Sequence, residues 1–389
     1  MQPMRCIFMV RALVTSPNWP AAVCLLLAGF ASLTYAQPHV SLAVHTGKPD
    51  LVFSSGEQIN RVQAAHTALA NCRKTVAASP GLESTGVCEL ARMDDIVVTP
   101  AQKLLPQAPA PLFLWRFQHH GATVYLAGTI HVLKESLYPL PQPYLDAYAA
   151  TQKLVFEVDL SRYPPAEVQQ QTMAYATLPE QSLRQSLPSE TYSQLVSAGL
   201  IYGLPVGQMQ AFKPMLAFQQ LGLLGFIAMG YDPTFGIDHY FGQLGEREAE
   251  NILQLETLDL QLKLLFDQPL DVQTAVLEQA LADLGNIEQS TSALVSAYFN
   301  GDDARLLSLI DEQAGEHPLT RAFNAQLLDQ RNRGMARTIQ AYLASDQSYF
   351  ILVGAAHTVG PRGIVALLES AGFTGARIAS NQTIPELQQ

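Results

Sequence analysis

Two short phrases, Gly128-Thr129-Ile130-His131 and Gly354-Ala355-Ala356-His357, stand 226 residues apart and repeat one local design. Each follows an apolar, β-prone run, residues 124–127 in one case and 349–353 in the other. Each is followed by a proline, a helix-like stretch and a second apolar run. This reads as strand, Gly-x-x-His turn, helix, strand, and α/β sheets place their chemistry at the carboxyl ends of strands. Gly128 and Gly354 are expected to make tight turns that let the histidine three residues on point into a cleft. The repetition predicts two halves of one site.

The intervening chain reads as mostly helical from about 164 to 345. Helix-like apolar spacing covers 166–175, 189–198, 214–229, 258–266, 272–299 and 319–343, and one β-like run covers 251–255. A hairpin is expected before the first motif, 112–117 with 123–126, turning through Gln118-His119-His120-Gly121. Residues 154–158 form the strand after it. The chain ends as a helix over 363–370, a turn at Gly372 and a strand near 376–378. The predicted fold is therefore α/β, a central sheet with two strand–GxxH–helix–strand units bracketing a large helical insert. Residues 37–100 read as a small, mainly helical N-terminal region with a helix over 57–70. A Pro-rich linker over 101–111 separates it from a main domain at 112–389.

The first 36 residues have the form of a secretory signal. Arg5 and Arg11 supply a basic start, 21–33 an apolar stretch, and Thr34-Tyr35-Ala36 a small residue at both recognition positions before a cut ahead of Gln37. The apolar run is short for a membrane span, so the mature chain is expected to lack one and to be periplasmic or secreted. Cleavage removes Cys6 and Cys24. Cys72 and Cys88 remain, an isolated pair expected to form a structural disulfide in an oxidising compartment. The formal net charge is −11, becoming −13 without the signal, because that segment carries two arginines and no acid. An acidic surface argues against nucleic acid or an anionic membrane as partner and leaves a peptide or small-molecule substrate open.

His131 and His357 are the first candidates for chemistry, since neutral imidazole is a common metal ligand and titrates nearest neutrality. Glu157 joins them as a carboxylate embedded in a β-run, where charge is costly unless it is paired or reactive. Alternation puts Asp159 on the same face. Two imidazoles and a carboxylate suit a divalent ion, with Mn, Co or Zn all compatible. The same groups can also act without metal, histidine as general base and glutamate orienting it. Arg331-Asn332, in the amphipathic stretch before the second motif, can direct a guanidinium at a carboxylate or an oxyanion. Glu256 is read as a helix-start residue favoured by the dipole. Asp238 and His239 are candidates to line the cleft without diagnostic spacing. There is no Gly-x-Ser-x-Gly, His-Glu-x-x-His, Walker loop or Gly-x-Gly-x-x-Gly phrase, which weakens serine-hydrolase, zincin and nucleotide-binding readings.

These residues in this order resemble the TraB/GumN family, related to the Tiki-type proteases. The phrases are Leu126-Ala127-Gly128-Thr129-Ile130-His131, Tyr138-Pro139-Leu140-Pro141, Val155-Phe156-Glu157-Val158-Asp159, Leu255-Glu256-Thr257, Arg331-Asn332 and the run 353–360. The resemblance covers about 112–378 and leaves the cysteine-bearing region unexplained. It implies an α/β fold with both Gly-x-x-His phrases at one site. It also implies a divalent-metal-dependent peptidase in which His131, Glu157 and His357 take metal or catalytic roles, with Arg331 and Asn332 beside them. The wider superfamily, erythromycin-esterase-like and ChaN-like, includes metal-independent esterases and haem-binding proteins, so both stay open. A haem-binding role would give weight to Tyr125, Tyr138 or Tyr144.

Overall fold

The computed structural model describes residues 38–82, 84–244 and 251–385. The expected signal, its cleavage point at Gln37 and the cysteines it would remove lie outside the described residues. Among the described residues ten strands form two sheets: β1 Ser41–His45, β2 Lys48–Ser54, β3 Cys88–Met93, β4 Ile96–Val97, β5 Pro111–His119, β6 Ala122–Thr129, β7 Lys153–Phe156, β8 Ile252–Gln254, β9 Ser348–Gly354 and β10 Gly375–Ala379. The main sheet runs β10-β5-β6-β9-β7-β8. Strands β10, β5 and β6 pair antiparallel, whereas β6, β9, β7 and β8 are mutually parallel. The α/β class and the helical insert are as expected.

Strand order brings the site together. The last parallel strand, β9, inserts between β6 and β7, with Thr129 opposite Gly354 and Val155 opposite Ile351. The carboxyl ends of β6, β9, β7 and β8 therefore lie side by side, the edge of an α/β sheet that ordinarily carries the chemistry. Strand β9 is buried along its whole length, and Val124, Leu126 and Ala127 of β6 are equally inaccessible. Near-continuous apolar runs are what strands covered on both faces require.

The N-terminal region departs from expectation. Residues 38–100 hold the four-stranded antiparallel sheet β2-β1-β3-β4 packed on one helix, Arg61–Ala77. The helix starts four residues later than its apolar spacing suggests, because Asn60 caps it by accepting from the Gln63 N–H. The strands escape a periodicity reading because β2 is almost wholly exposed, so its side chains do not alternate by polarity. Cys72 and Cys88 are disulfide-bonded, joining this helix to β3.

Three further boundaries differ. The helical run over 272–299 is two helices, Leu270–Asp283 and Ile287–Asn300, with a 3-10 turn between them. The run over 319–343 is interrupted by a π turn at Gln326–Gln330, between helices Pro318–Ala325 and Arg331–Leu343. Strand β7 stops at Phe156, and Asp159 turns away to accept from Ser161 and pair with Arg162. Period-2 alternation no longer applies once the strand has ended, so Asp159 does not share a face with Glu157 at the site. Among the described residues no helix is long and apolar enough to cross a membrane. The stretch over 214–229 is a core helix, Pro214–Ala228.

Candidate active site

Each parallel strand delivers one charged or ionisable side chain just past its end: β6 His131, β9 His357, β7 Glu157 and β8 Glu256. Neither motif glycine adopts a left-handed backbone. Gly354 has φ −52°, which any residue accepts. Their value is the absence of a side chain rather than a turn. A Cβ on Gly128 would lie 3.0 Å from Ala355 Cα and 3.1 Å from Phe113 Cβ, in the seam between β6 and its neighbours. A Cβ on Gly354 would sit 3.4 Å from His131 Nε2, 3.5 Å from Glu157 Oε1 and 3.6 Å from His357 Cδ2. The bare Cα of Gly354 is the floor of a small volume bordered by all three predicted residues.

Glu157 is held on both oxygens. Oε1 accepts from the Gly354 N–H at 2.6 Å, and Oε2 receives the Arg331 guanidinium in a short ion pair. Arg331 also grips Glu256 through Nε at 2.9 Å and Nη2 at 2.8 Å, and its Nη1 lies 3.1 Å from His357 Nε2. Gln261 completes the cluster, donating to Glu157 at 3.4 Å and Glu256 at 3.3 Å. Glu256 lies just before Thr257, the N-cap of helix Leu258–Phe266, yet its carboxylate is buried and paired with Arg331 instead of facing solvent.

The tautomer of His357 follows from its partners. Asn332 Nδ2 donates to the Arg362 carbonyl at 2.9 Å, which turns Asn332 Oδ1 toward His357 Nδ1 at 2.7 Å. With that amide orientation assigned from the network, Nδ1 carries the proton and Nε2 presents a lone pair. Arg331 and Asn332 are consecutive residues that reach two different partners at the first turn after the π turn, a feature found often at functional sites.

His131 is oriented from the helical insert. Its Nδ1 is 3.0 Å from Asp238 Oδ1, so Nε2 faces the shared volume. Asp238 arrives in the first turn of helix Ile237–Gln243, whose Ile237 N–H donates to the Ile130 carbonyl. That approach needs Gly236, since a Cβ there would meet the His131 carbonyl oxygen at 2.3 Å. On the far side, Tyr298 donates to the Gly128 carbonyl at 2.8 Å. Its single proton is thereby used, so Tyr144, 2.9 Å away, donates to Tyr298. Asp238, Gly236 and Tyr298 are the residues the sequence did not single out as essential. Asp238 was expected to line the cleft but has no diagnostic spacing, and neither Gly236 nor Tyr298 carries a signal. Tyr125 and Tyr144 are buried, and the Tyr138 hydroxyl is bonded to the Phe235 carbonyl, so none is presented to a ligand.

The electrostatics separate the two histidines. Burial, reinforced by Arg331 and His131, pushes His357 down to about 4, so it is neutral near pH 7. Asp238 pulls His131 up to about 9, helped by Glu157. Its side chain is 65% exposed, and solvent screening moderates that shift. Burial raises Glu157, but His357, Arg331, His131 and the Gly354 N–H outweigh it and bring the carboxyl down to about 2.

The donor chemistry suits a divalent ion in kind. Both imidazoles have Nδ1 tied to a side-chain oxygen, which leaves Nε2 for a ligand, on His131 once its second proton has been displaced, and a carboxylate lies between them. As arranged, however, no three His, Cys, Asp or Glu side chains among the described residues close on one point as metal ligands. Arg331 stands among them, engaging His357 Nε2 and Glu157 Oε2.

The TraB/PrgY/gumN family model matches residues 113–377, from within β5 to within β10. The chain belongs to the TraB/PrgY/gumN family. Similar curated proteins include a metalloprotease TIKI homolog of Amphimedon queenslandica, 32% identical over 85 residues, covering 21% of this chain and 17% of that protein. Metalloprotease TIKI2 of Xenopus tropicalis is 22% identical over 338 residues, 74% of this chain and 64% of that protein. TIKI2 of Danio rerio is 22% identical over 297 residues, 64% of this chain and 57% of that protein. The chain thus spans less than two thirds of the length of each of these relatives. No solved structure matches.

Proposed function

We propose that this TraB/PrgY/gumN chain is a hydrolase that cleaves peptide bonds with water at the cluster of His131, Glu157, His357 and Arg331. The observation that carries this reading is the convergence of His131 Nε2, Glu157 Oε1 and the Cδ2 edge of the His357 ring on the space above Gly354, with each Nδ1 anchored from outside. Membership of a family whose named relatives are metalloproteases supports the reaction class. His131, Glu157 and His357 would hold a divalent ion such as Mn, Co or Zn, which polarises a carbonyl and acidifies bound water. Asp238 and Asn332 keep the two imidazoles in fixed tautomers, and Arg331 offers a permanent positive charge for a developing oxyanion. Glu256 anchors that guanidinium, and Gln261 donates to the Glu157 and Glu256 carboxylates.

A second reading has its own support. With Arg331 seated as observed, the site already holds a fixed cation, and His131 carries a proton near neutrality. A metal-independent hydrolase would then use Arg331 for the oxyanion and His131 to protonate the leaving group. Turnover of a quenched fluorescent peptide library by metal-stripped protein, before and after adding Mn2+, separates the two. His131→Ala and His357→Ala should each reduce turnover at least a hundredfold while leaving the fold intact. Undiminished turnover in both variants would remove the cluster from the chemistry.

The same proposal includes export. Residues 1–36 would be removed ahead of Gln37, releasing a periplasmic or secreted chain that carries the Cys72–Cys88 bond. The 112–389 unit would be catalytic, with 37–100 packed on it. Amino-terminal sequencing of the exported protein tests the cleavage point.

A further inference from the structure

We propose that Arg331 is a built-in counter-cation that shares its seat with the divalent ion, so that metal loading requires the guanidinium to leave Glu157 and His357. This rests on the reading of His131, Glu157 and His357 as the ion's ligands. The argument is one of lone pairs. His357 has its proton on Nδ1, held by Asn332, so Nε2 is its one free lone pair, and Arg331 Nη1 is 3.1 Å from it. Glu157 Oε2 is engaged by Arg331 Nη2, and Oε1 already accepts from Gly354. An ion taking the Nε2 of His357 must therefore displace Nη1. A guanidinium stays charged at any relevant pH, so it cannot yield by losing a proton. Two cations pressed against the same carboxylate repel, which makes the exchange competitive rather than additive.

The members of the cluster are not equally free to move. His131, His357 and Glu157 are each tied through an atom that faces away from the shared volume or to backbone, by Asp238, Asn332 and the Gly354 N–H. Arg331 has its partners within the cluster itself, and its long stem can swing while Glu256 retains one end. Arg331 is thus the removable member. In the metal-free state it neutralises buried carboxylates that would otherwise repel, which keeps the ligands pre-positioned.

The test is Mn2+ binding by calorimetry to the full chain, stripped of metal, in wild type, Arg331→Met, Glu256→Gln and Arg331→Met/His131→Ala. Arg331→Met should bind Mn2+ at least tenfold more tightly than wild type, and Glu256→Gln, which loosens the guanidinium's anchor, should move the same way. Adding His131→Ala should abolish the gain. Equal or weaker affinity in both single variants, with binding still dependent on His131, would overturn the competition while leaving the ligand reading in place. Absence of Mn2+, Co2+ and Zn2+ binding in every protein would overturn both. If Arg331→Met fails to fold, Glu256→Gln alone decides, since it preserves the cluster's shape.

Discussion

Replacing Lys134 by methionine should destabilise this protein by about 3–4 kcal/mol near neutral pH, and by much less in mild acid. Lys134 lies three residues beyond His131 and is 4% exposed. Its ammonium is 4.0 Å from Glu89 Oε1 on β3, 3.4 Å from the Thr99 carbonyl and 4.8 Å above the Tyr231 ring. Glu89 is equally buried and also accepts from the Ala101 N–H. At an effective dielectric of about 20, unit charges 4 Å apart attract by about 4 kcal/mol, in the range of about 3–5 kcal/mol found when one partner of a buried pair is removed. Methionine keeps the apolar stem, so the loss is mainly of charge.

The pH signature identifies the cause. Burial already raises the Glu89 carboxyl above its ordinary value, and Lys134 partly restrains it. Without Lys134 the folded-state pKa climbs further above the unfolded one. A raised folded pKa means that stability is intact below the unfolded value and is lost as pH rises through the folded value. The deficit of Lys134→Met should therefore be full at about pH 8 and small at about pH 4.5. Urea unfolding followed by tryptophan fluorescence at both pH values measures it. Adding Glu89→Gln should recover most of the loss. A deficit under about 1 kcal/mol, or one equal at both pH values, would refute the reasoning.

Four other outcomes follow from the same structure. Gly354→Ala should fold with stability within about 1 kcal/mol of wild type, since its φ is ordinary and its new contacts are of van der Waals length, yet lose turnover because the methyl fills the shared volume. Gly128→Ala should instead lose about 1–3 kcal/mol through crowding at 3.0 Å, so thermal melts with peptide turnover distinguish the two motif glycines. In metal-free protein, stability should fall as pH drops from about 6.5 to about 4, because His357, held down to about 4 when folded, binds its proton more readily unfolded; this is worth about 3 kcal/mol. His357→Gln should flatten that limb of the acid unfolding curve, and an unchanged limb would reject the assignment. Cys72→Ser/Cys88→Ser should cost about 3 kcal/mol for a 16-residue closure, read as a lower urea midpoint.

Much of the site is local in the chain and so is legible there. A β-prone run ending in Gly-x-x-His announces its own position at a strand's carboxyl end, and Glu157 stands out as a charge in an apolar run. The disulfide is legible for a similar reason, since setting aside the expected signal leaves two cysteines. The alternation that placed Asp159 beside Glu157 failed because a period of two holds only while the strand continues, and β7 ends at Phe156. The N-terminal sheet was missed because its outer strand is exposed on both faces and carries no polarity pattern.

What the sequence determined by itself is the set of short-range geometries of the main sheet: which segments there are strands, and which side chains stand just past their ends. Tertiary structure alone decided that β9 enters between β6 and β7, its pairing with β6 spanning more than two hundred residues, which local propensity does not encode. It also decided that Asp238, carried by a helix in the insert, fixes His131, and that Arg331 occupies the centre of the cluster. Those placements depend on the packing of elements distant in the chain. A buried carboxylate or imidazole takes its protonation state from whichever charge that packing brings within reach.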